Sequence, residues 1–404
     1  MNDFMTEFRA GWRDLVGATI GLGLGIASYN PVSSFFFRAL EHEFGWSKTA
    51  AAISLIALPI TAVVLPFAGI LLDRYGVRRV AIASAVCMSA CFIWLSAMNG
   101  ELWMFYAAFI ALNVLGCATG PISYTRTIAT RFKKSRGTAL AIALMGIGLA
   151  GVILPPVLAS VFASSGWRAG YQFYAGAVLV AGVIALLLTR DPIKAGEGSS
   201  AAVGDTVAQA LRKPSFWVLG FAIFFVSVAS LGFVSQFQSI IIEKGLPPSL
   251  APILLSTLAA SVFFSRLVVG WALDSYASER VAATALALAA IGMVVWLFGG
   301  PGLPLGITAV LLLGLSIGAE LDLLSFFCAR LFGLRHYGAV YGALAVFFYM
   351  GLAAGGITYG AIHDRTGTYS NAVTMSAVLF VIASGMFLAL RSASKAAVAA
   401  DRIQ

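Results

Sequence analysis

The sequence predicts an all-α polytopic membrane protein with twelve transmembrane helices in two six-helix pseudo-repeats. Three observations predict this class: the composition, the spacing of the apolar runs and an internal repeat. Of the 404 residues, 60% are hydrophobic and only 11% are charged, whereas soluble domains carry about 25% charged residues. A chain this apolar is expected in a lipid bilayer, which is therefore its first predicted partner.

Twelve apolar runs are long enough to cross a bilayer, because a spanning helix needs about 20 apolar residues. Six runs precede a polar segment with a Gly-Ser-Ser turn, and six follow it. This order predicts an N-terminal six-helix half at 1–189, a cytoplasmic linker at 190–213 and a C-terminal six-helix half at 214–404. The predicted spans are 15–37, 49–72, 80–100, 102–125, 137–167, 169–189, 214–242, 250–273, 281–298, 303–329, 337–362 and 366–390.

The basic residues predict the orientation of these helices. Of the 26 Lys and Arg, 19 fall at the termini and in the even-numbered loops, five fall in the odd-numbered loops, and two lie within or at the end of spans. By the positive-inside rule, both termini are expected in the cytoplasm of a multi-pass cell-membrane protein. This placement also accounts for the net charge of +9 without nucleic acid. The first 14 residues carry five charges and lack the apolar core of a signal peptide.

An internal repeat relates the two halves. Gly69-Ile-Leu-Leu-Asp73 closes the second span, and Gly270-Trp-Ala-Leu-Asp274 closes the eighth. The fourth and tenth spans likewise share a Gly-x-x-x-Gly spacing, and each leads into a basic loop. Two parallel six-helix repeats with a site at their interface are a recognised plan of secondary transporters.

The segment 69–79, Gly-Ile-Leu-Leu-Asp-Arg-Tyr-Gly-Val-Arg-Arg, resembles motif A of the major facilitator superfamily. In that family the motif lies in the cytoplasmic loop between helices two and three, as predicted here. The resemblance implies a central cavity lined by helices one, four, seven and ten, about which the halves rock. It also implies that the loop acts as a cytoplasmic latch during gating. The alternative interpretation is that its basic residues only determine the membrane topology. The candidate gating residues are Gly69, Asp73, Arg74, Gly76, Arg78 and Asp274.

A narrower resemblance concerns the segment 131–137, Arg-Phe-Lys-Lys-Ser-Arg-Gly, and the Gly-rich helix that follows it. This segment is similar to the helix-five signature of monocarboxylate transporters and oxalate/formate antiporters. Arg266 resembles the helix-eight arginine that binds carboxylate in those proteins. The chain departs from them at Val262, where an acid is expected, and it has no lysine in the eleventh span. These departures argue against a dicarboxylate substrate.

Four ionisable residues lie in or beside apolar runs and are the candidates for chemistry. Glu320 and Asp322 lie in the tenth span, Arg266 in the eighth and Arg126 at the end of the fourth. A charge at membrane depth costs roughly 2.5–3.5 kcal/mol on insertion scales, so such residues usually serve function. Arg266 is the predicted anion-binding residue, since a guanidinium holds a carboxylate bidentately. The structural alternative is a buried pair with an acid of the same bundle.

Glu320 and Asp322 are separated by about 200° on a helix and therefore point to nearly opposite sides. We expect one to face the cavity and couple protons, because a carboxyl group removed from water holds its proton more tightly. The other is expected to join a structural ion pair, for which Arg126 is a candidate base. Arg126 is alternatively a substrate contact, or it extends towards the headgroups.

Three polar side chains are further candidates for substrate contact: Tyr124 in the fourth span, Asn30 in the first and Gln236 in the seventh. Each has a structural alternative, either aromatic packing or a hydrogen bond between helices.

The predicted function is secondary active transport of a small organic anion, a monocarboxylate, by a monomer that also binds protons. The alternative is an exporter of drugs or amphipathic metabolites, which paired phenylalanines such as Phe224 and Phe225 would suit. Enzyme motifs such as HExxH and the P-loop do not occur, and neither a metal nor a cofactor is expected. A sensor on the same fold would be expected to carry an added soluble domain, and residues 392–404 are too few to form one.

Overall fold

The structure is a computed structural model that describes residues 2–46, 57–190 and 204–391. These residues form fifteen α-helices and two short 3₁₀ turns, Cys117–Thr119 and Pro248–Leu250. The helices are α1 (Asn2–Leu24), α2 (Ile26–Phe44), α3 (Ala57–Tyr75), α4 (Val77–Ser96), α5 (Leu102–Gly116), α6 (Pro121–Arg131), α7 (Arg136–Leu188), α8 (Val207–Arg212), α9 (Pro214–Ser235), α10 (Phe237–Glu243), α11 (Ala251–Ser275), α12 (Ser278–Phe298), α13 (Leu303–Phe332), α14 (Tyr337–Thr366) and α15 (Ser370–Ala389).

Ten helical segments of the described residues are long and apolar enough to cross a membrane. One of them, α7, has 53 residues and covers both the fifth and the sixth predicted spans. Its backbone turns at Gly166, where a φ of 76° interrupts the helix. A positive φ is accessible to glycine at little cost, so the helix can be interrupted here. The predicted first span is covered by α1 and α2. The linker residues 191–203 lie outside the described residues.

The first and fourth predicted spans are each broken, and the two breaks meet. Gly25 separates α1 from α2 with extended backbone, and Gly120 does the same before α6. The Ile26 N–H, which has no partner in its own helix, donates to Thr119 Oγ1 at 3.0 Å. A broken transmembrane helix is stable when neighbouring groups satisfy the freed backbone in this way.

The chain divides into two compact units. Unit 1 comprises residues 1–134, 142–204 and 334–342, and unit 2 comprises 135–141, 205–333 and 343–404. Each unit therefore includes one short segment from the opposite half of the sequence. These two segments contain the first residues of α7 and of α14.

The cores of the units differ in character. In unit 1, aromatic rings from α2, α4 and α7 pack edge-on or stacked, as where Tyr29 contacts Phe92 and Tyr174 with centroids 4.9 and 5.4 Å apart. In unit 2, α11 and α13 meet through small residues. Such residues let helix backbones approach closely in a membrane, where burial of apolar surface no longer drives association. The close approach brings polar side chains of α11 and α13 into contact.

Candidate functional site

A buried ion pair joins α11 to α13 in unit 2. Arg266 Nη1 lies 3.3 Å from Asp322 Oδ1, and the two side chains are 9% and 1% exposed. The other carboxylate oxygen, Asp322 Oδ2, has no hydrogen-bond partner among the described residues. Breaking a buried pair by removing one partner typically costs about 3–5 kcal/mol, so each charge depends on the other.

Glycine and serine residues place these two helices close enough for the pair to form. Gly314 and Gly318 of α13 lie against Ser261 and Ser265 of α11, and a Cβ atom at either glycine would overlap a serine side chain. The Ser261 hydroxyl donates to Leu311 O at 2.6 Å, and the Ser265 hydroxyl donates to Gly314 O at 3.1 Å. Without these small residues the α13 acid could not reach the α11 guanidinium.

Glu320, on the same helix, has a different partner. Its Oε1 atom lies in hydrogen-bond contact with the hydroxyl of Ser227 on α9. Glu320 is 4% exposed and Ser227 is fully buried. The two acids of α13 thus contact different helices, in line with their angular separation. The structure places Asp322, rather than Glu320, in contact with an arginine.

The predicted base for these acids, Arg126, lies in unit 1 and has other partners. Arg126 Nη2 lies 3.2 Å from Asp73 Oδ1 of α3, and Nη1 donates to Leu72 O at 2.6 Å. Arg126 is therefore a buried charge that the structure assigns to Asp73.

Asp73 also receives two backbone hydrogen bonds at the start of α14. Its carboxylate accepts the Gly338 N–H at 3.1 Å and the Ala339 N–H at 2.8 Å. The first N–H groups of a helix have no partner within it and carry a partial positive charge, so they attract a carboxylate. Gly69 contacts the Gly338 backbone, where any side chain would overlap it.

The second copy of the motif makes the same type of contact in unit 2. Asp274 accepts the Gly137 and Thr138 N–H groups at 2.6 and 2.7 Å, and the Thr138 hydroxyl at 2.7 Å. These donors open α7 and belong to, or directly follow, the 131–137 segment. The second copy therefore keeps the carboxylate geometry of the first.

The remaining motif residues support the turn after α3. Gly76 has a φ of 85°, in the region that favours glycine, and it precedes α4. Arg78 Nε donates to Leu186 O at 3.0 Å, and the Arg74 guanidinium lies 5.4 Å from the Tyr75 ring centroid. The two arginines therefore contact residues of unit 1.

Replacing Asp73 by asparagine is expected to slow turnover about tenfold while KM changes little. An amide keeps the shape but weakens the charge-assisted bonds to Arg126 and the α14 N-terminus, each worth about 1.5–3 kcal/mol, and a tenfold slowing needs only about 1.4 kcal/mol of that sum. The measurement is initial transport rate against substrate concentration, with Glu101→Gln as an exposed control. Wild-type turnover in the variant would refute a gating role for this carboxylate.

The other three candidates have varied surroundings. Tyr124 is buried in unit 1, and its ring lies against Gly21 of α1. Gln236 lies between α9 and α10 and accepts the Tyr369 hydroxyl at 3.2 Å in unit 2. The side chain of Asn30 lies outside the described residues. The geometry of Tyr124 and Gln236 matches the packing and hydrogen-bond alternatives, and their contact with substrate stays a prediction.

Sequence reasoning did not find Ser227 or Thr138, which contact Glu320 and Asp274. A serine in an apolar run carries no distinguishing signal, since serine hydroxyls usually bond to their own helix. Thr138 directly follows the 131–137 segment, so its place beside a glycine at a helix start was the available signal. Among the described residues, no group of three His, Cys, Asp or Glu side chains could hold a metal ion.

Comparison with known proteins agrees with this architecture. The family model of the Major Facilitator Superfamily matches residues 15–356. Human monocarboxylate transporter 11 is 27% identical over 400 residues, which cover 94% of this chain and 83% of that protein.

Two solved structures share the fold. The Escherichia coli fucose:proton symporter FucP aligns with a TM-score of 0.75 at 16% identity, over 93% of this chain and 97% of its own. The human organic anion transporter MFSD10 aligns with a TM-score of 0.74 at 15% identity, over 93% and 99%. At these identities the likeness shows the fold alone.

The all-α polytopic fold predicted from the sequence is thus confirmed, and the chain is a membrane transporter rather than an enzyme. The family match extends over most of the sequence and includes both copies of the Gly-x-x-x-Asp motif. The protein belongs to the Major Facilitator Superfamily.

Proposed function

We propose that this transporter moves a small organic anion, a monocarboxylate, together with one proton by alternating access. The buried pair of Arg266 and Asp322 carries the proposal. A guanidinium can hold a carboxylate through two parallel hydrogen bonds, whereas Asp322 contacts it through one oxygen. A substrate carboxylate can therefore replace Asp322 on Arg266. The relative named for monocarboxylate transport, human monocarboxylate transporter 11, supports this reading.

Charge balance supports coupling to a proton. In the empty site the Arg266 charge is compensated by Asp322, so the pair is neutral. An incoming anion would leave one uncompensated negative charge in a buried, low-dielectric site, where this is costly. Protonation of Asp322 removes that charge. Asp322 Oδ2, which has no partner among the described residues, is the atom on which the proton would be held.

We further propose that the halves 1–189 and 214–404 are the two bundles that rock in the cell membrane, with both termini in the cytoplasm. The 19-to-5 distribution of basic residues supports this orientation. Asp322 is fully buried and Arg266 is 7% exposed. An anion therefore reaches the guanidinium only after surrounding helices move, as alternating access requires.

Reconstituted protein is expected to accumulate short monocarboxylates when the outside is more acidic. The test is uptake into proteoliposomes of labelled acetate, lactate, pyruvate and benzoate, with succinate and oxalate as dicarboxylates. A proton gradient should raise monocarboxylate accumulation, because each anion enters with a proton. Transport of apolar cations or neutral drugs, without any anion uptake, would instead support the exporter alternative.

A further inference from the structure

Glu320 is a buried acid that the proposed transport step does not use. It is held between α13 and α9, where Ser227 Oγ lies beside its Oε1 atom. The same hydroxyl lies 2.9 Å from Ile223 O, one turn earlier in α9. Gly351 of α14 packs directly on the Ser227 Cβ, so the serine has little freedom to move away.

The single proton of the Ser227 hydroxyl sets the direction of these two contacts. A serine hydroxyl has one proton to donate and can accept further hydrogen bonds. A backbone carbonyl can only accept, so a bond between Ser227 and Ile223 O uses the serine proton. With the serine proton placed there, a proton on the carboxyl group completes the contact between Ser227 and Glu320. One arrangement satisfies both contacts: Glu320 donates to Ser227, and Ser227 donates to Ile223.

The charges around Glu320 supply no counterion of its own among the described residues, and burial away from water penalises its charged form. Arg266 of α11 acts on it electrostatically, but this guanidinium already has Asp322 as its counterion. The sequence of α9 contains no charged residue. Glu279 of α12 forms an ion pair with Arg330 at 3.6 Å, near the C-terminal end of α13. Arg280 follows Glu279 in the first turn of α12. A charged Glu320 would place two carboxylates against one buried guanidinium.

We propose that Ser227 positions Glu320 as a neutral carboxylic acid, so that Asp322 is the sole counterion of Arg266. This inference rests on the proposed function in one respect. Because Glu320 keeps its proton, the proposed transport couples one proton to each anion, and that proton is held on Asp322. Ser227 acts as a positioning residue, since it touches Glu320 and not the substrate. The Glu320 proton stays on its carboxyl group throughout the cycle.

Infrared difference spectroscopy tests the protonation state without any substrate. The C=O stretch of a protonated carboxyl group is resolved from the bands of a carboxylate. At pH 7, the spectrum of the wild-type protein minus that of Glu320→Gln should contain one protonated-carboxyl band. In Ser227→Ala that band should move to higher frequency, because the acid loses its acceptor, and Ser227→Thr should restore it.

Ser230→Ala is the matched control, because Ser230 is buried on the same helix and its hydroxyl has no partner among the described residues. This variant should leave the band unchanged. An absent band in the wild-type difference spectrum, or a band unaffected by Ser227→Ala, would overturn the inference while leaving the proposed transport untouched.

Transport provides a second readout. Glutamine has the size and polarity of a neutral glutamic acid, so Glu320→Gln should retain net, proton-driven uptake within about threefold of wild type. Loss of proton coupling in this variant would show that Glu320 carries the coupled proton and would overturn the single-counterion assignment. Failure of the wild-type protein to transport any anion would refute the proposed function alone, since the infrared result does not depend on it.

Discussion

Asp322→Asn is expected to abolish net, proton-driven uptake of the anion while exchange of one anion for another continues. The asparagine matches aspartate in size but cannot ionise, so the empty site contains an unpaired Arg266 charge. That state costs about 3–5 kcal/mol, which corresponds to a slowing of the empty carrier's return of at least about a hundredfold. A bound anion supplies the missing counterion, so the loaded carrier can still change between its outward-facing and inward-facing states.

The measurement compares two assays on the same proteoliposomes. Net uptake is driven by a pH gradient, and exchange is followed after loading the vesicles with unlabelled anion. The apparent affinity for the anion should rise in the variant, because Asp322 no longer competes for the guanidinium. Asp364→Asn is a suitable control, since its carboxylate is 84% exposed. Wild-type net uptake in Asp322→Asn, with its response to pH preserved, would show that this acid does not couple protons.

The fold could be predicted in large part from composition and spacing, because the bilayer imposes one length on every span. Broken helices were the exception. The break at Gly25 depends on Thr119, which supplies the partner for the Ile26 N–H from 93 positions away. A sequence pattern shows that glycine permits a break, but only the neighbouring helix determines whether one is stable.

The site could be predicted as a set of residues but not as a set of pairs. Helical geometry separates Glu320 from Asp322, and it does so correctly. It does not say which neighbour each one meets, because that depends on how α9 and α11 pack against α13. The partner of Arg126 was equally undetermined, since Asp73 lies 53 positions earlier in the sequence. An acid was expected one turn before Arg266, where the chain has Val262. Asp322 of α13 instead forms the ion pair with the Arg266 guanidinium.

Arg266→Ala is expected to reduce monocarboxylate uptake at least about a hundredfold. The change removes the only described cation next to Asp322 and with it the two parallel hydrogen bonds proposed to hold the substrate carboxylate. Arg266→Lys should recover a small part of the uptake, since a lysine ammonium offers charge without the planar fork. The single alanine variant also leaves Asp322 without its partner. It should therefore unfold at a lower temperature than the double variant Arg266→Ala/Asp322→Asn, in which neither charge remains.

This comparison separates loss of binding from loss of stability. The double variant is expected to regain thermal stability and to remain inactive towards the anion, because a neutral site has nothing to attract a carboxylate. Arg330→Ala is the matched control, since Arg330 forms an ion pair with Glu279 at one end of α13 and is expected to leave anion affinity unchanged. Carboxylate uptake at wild-type affinity in the double variant would exclude Arg266 as the anion site. Export of apolar compounds that persists in Arg266→Ala would favour the drug-exporter alternative, because such cargo needs no guanidinium.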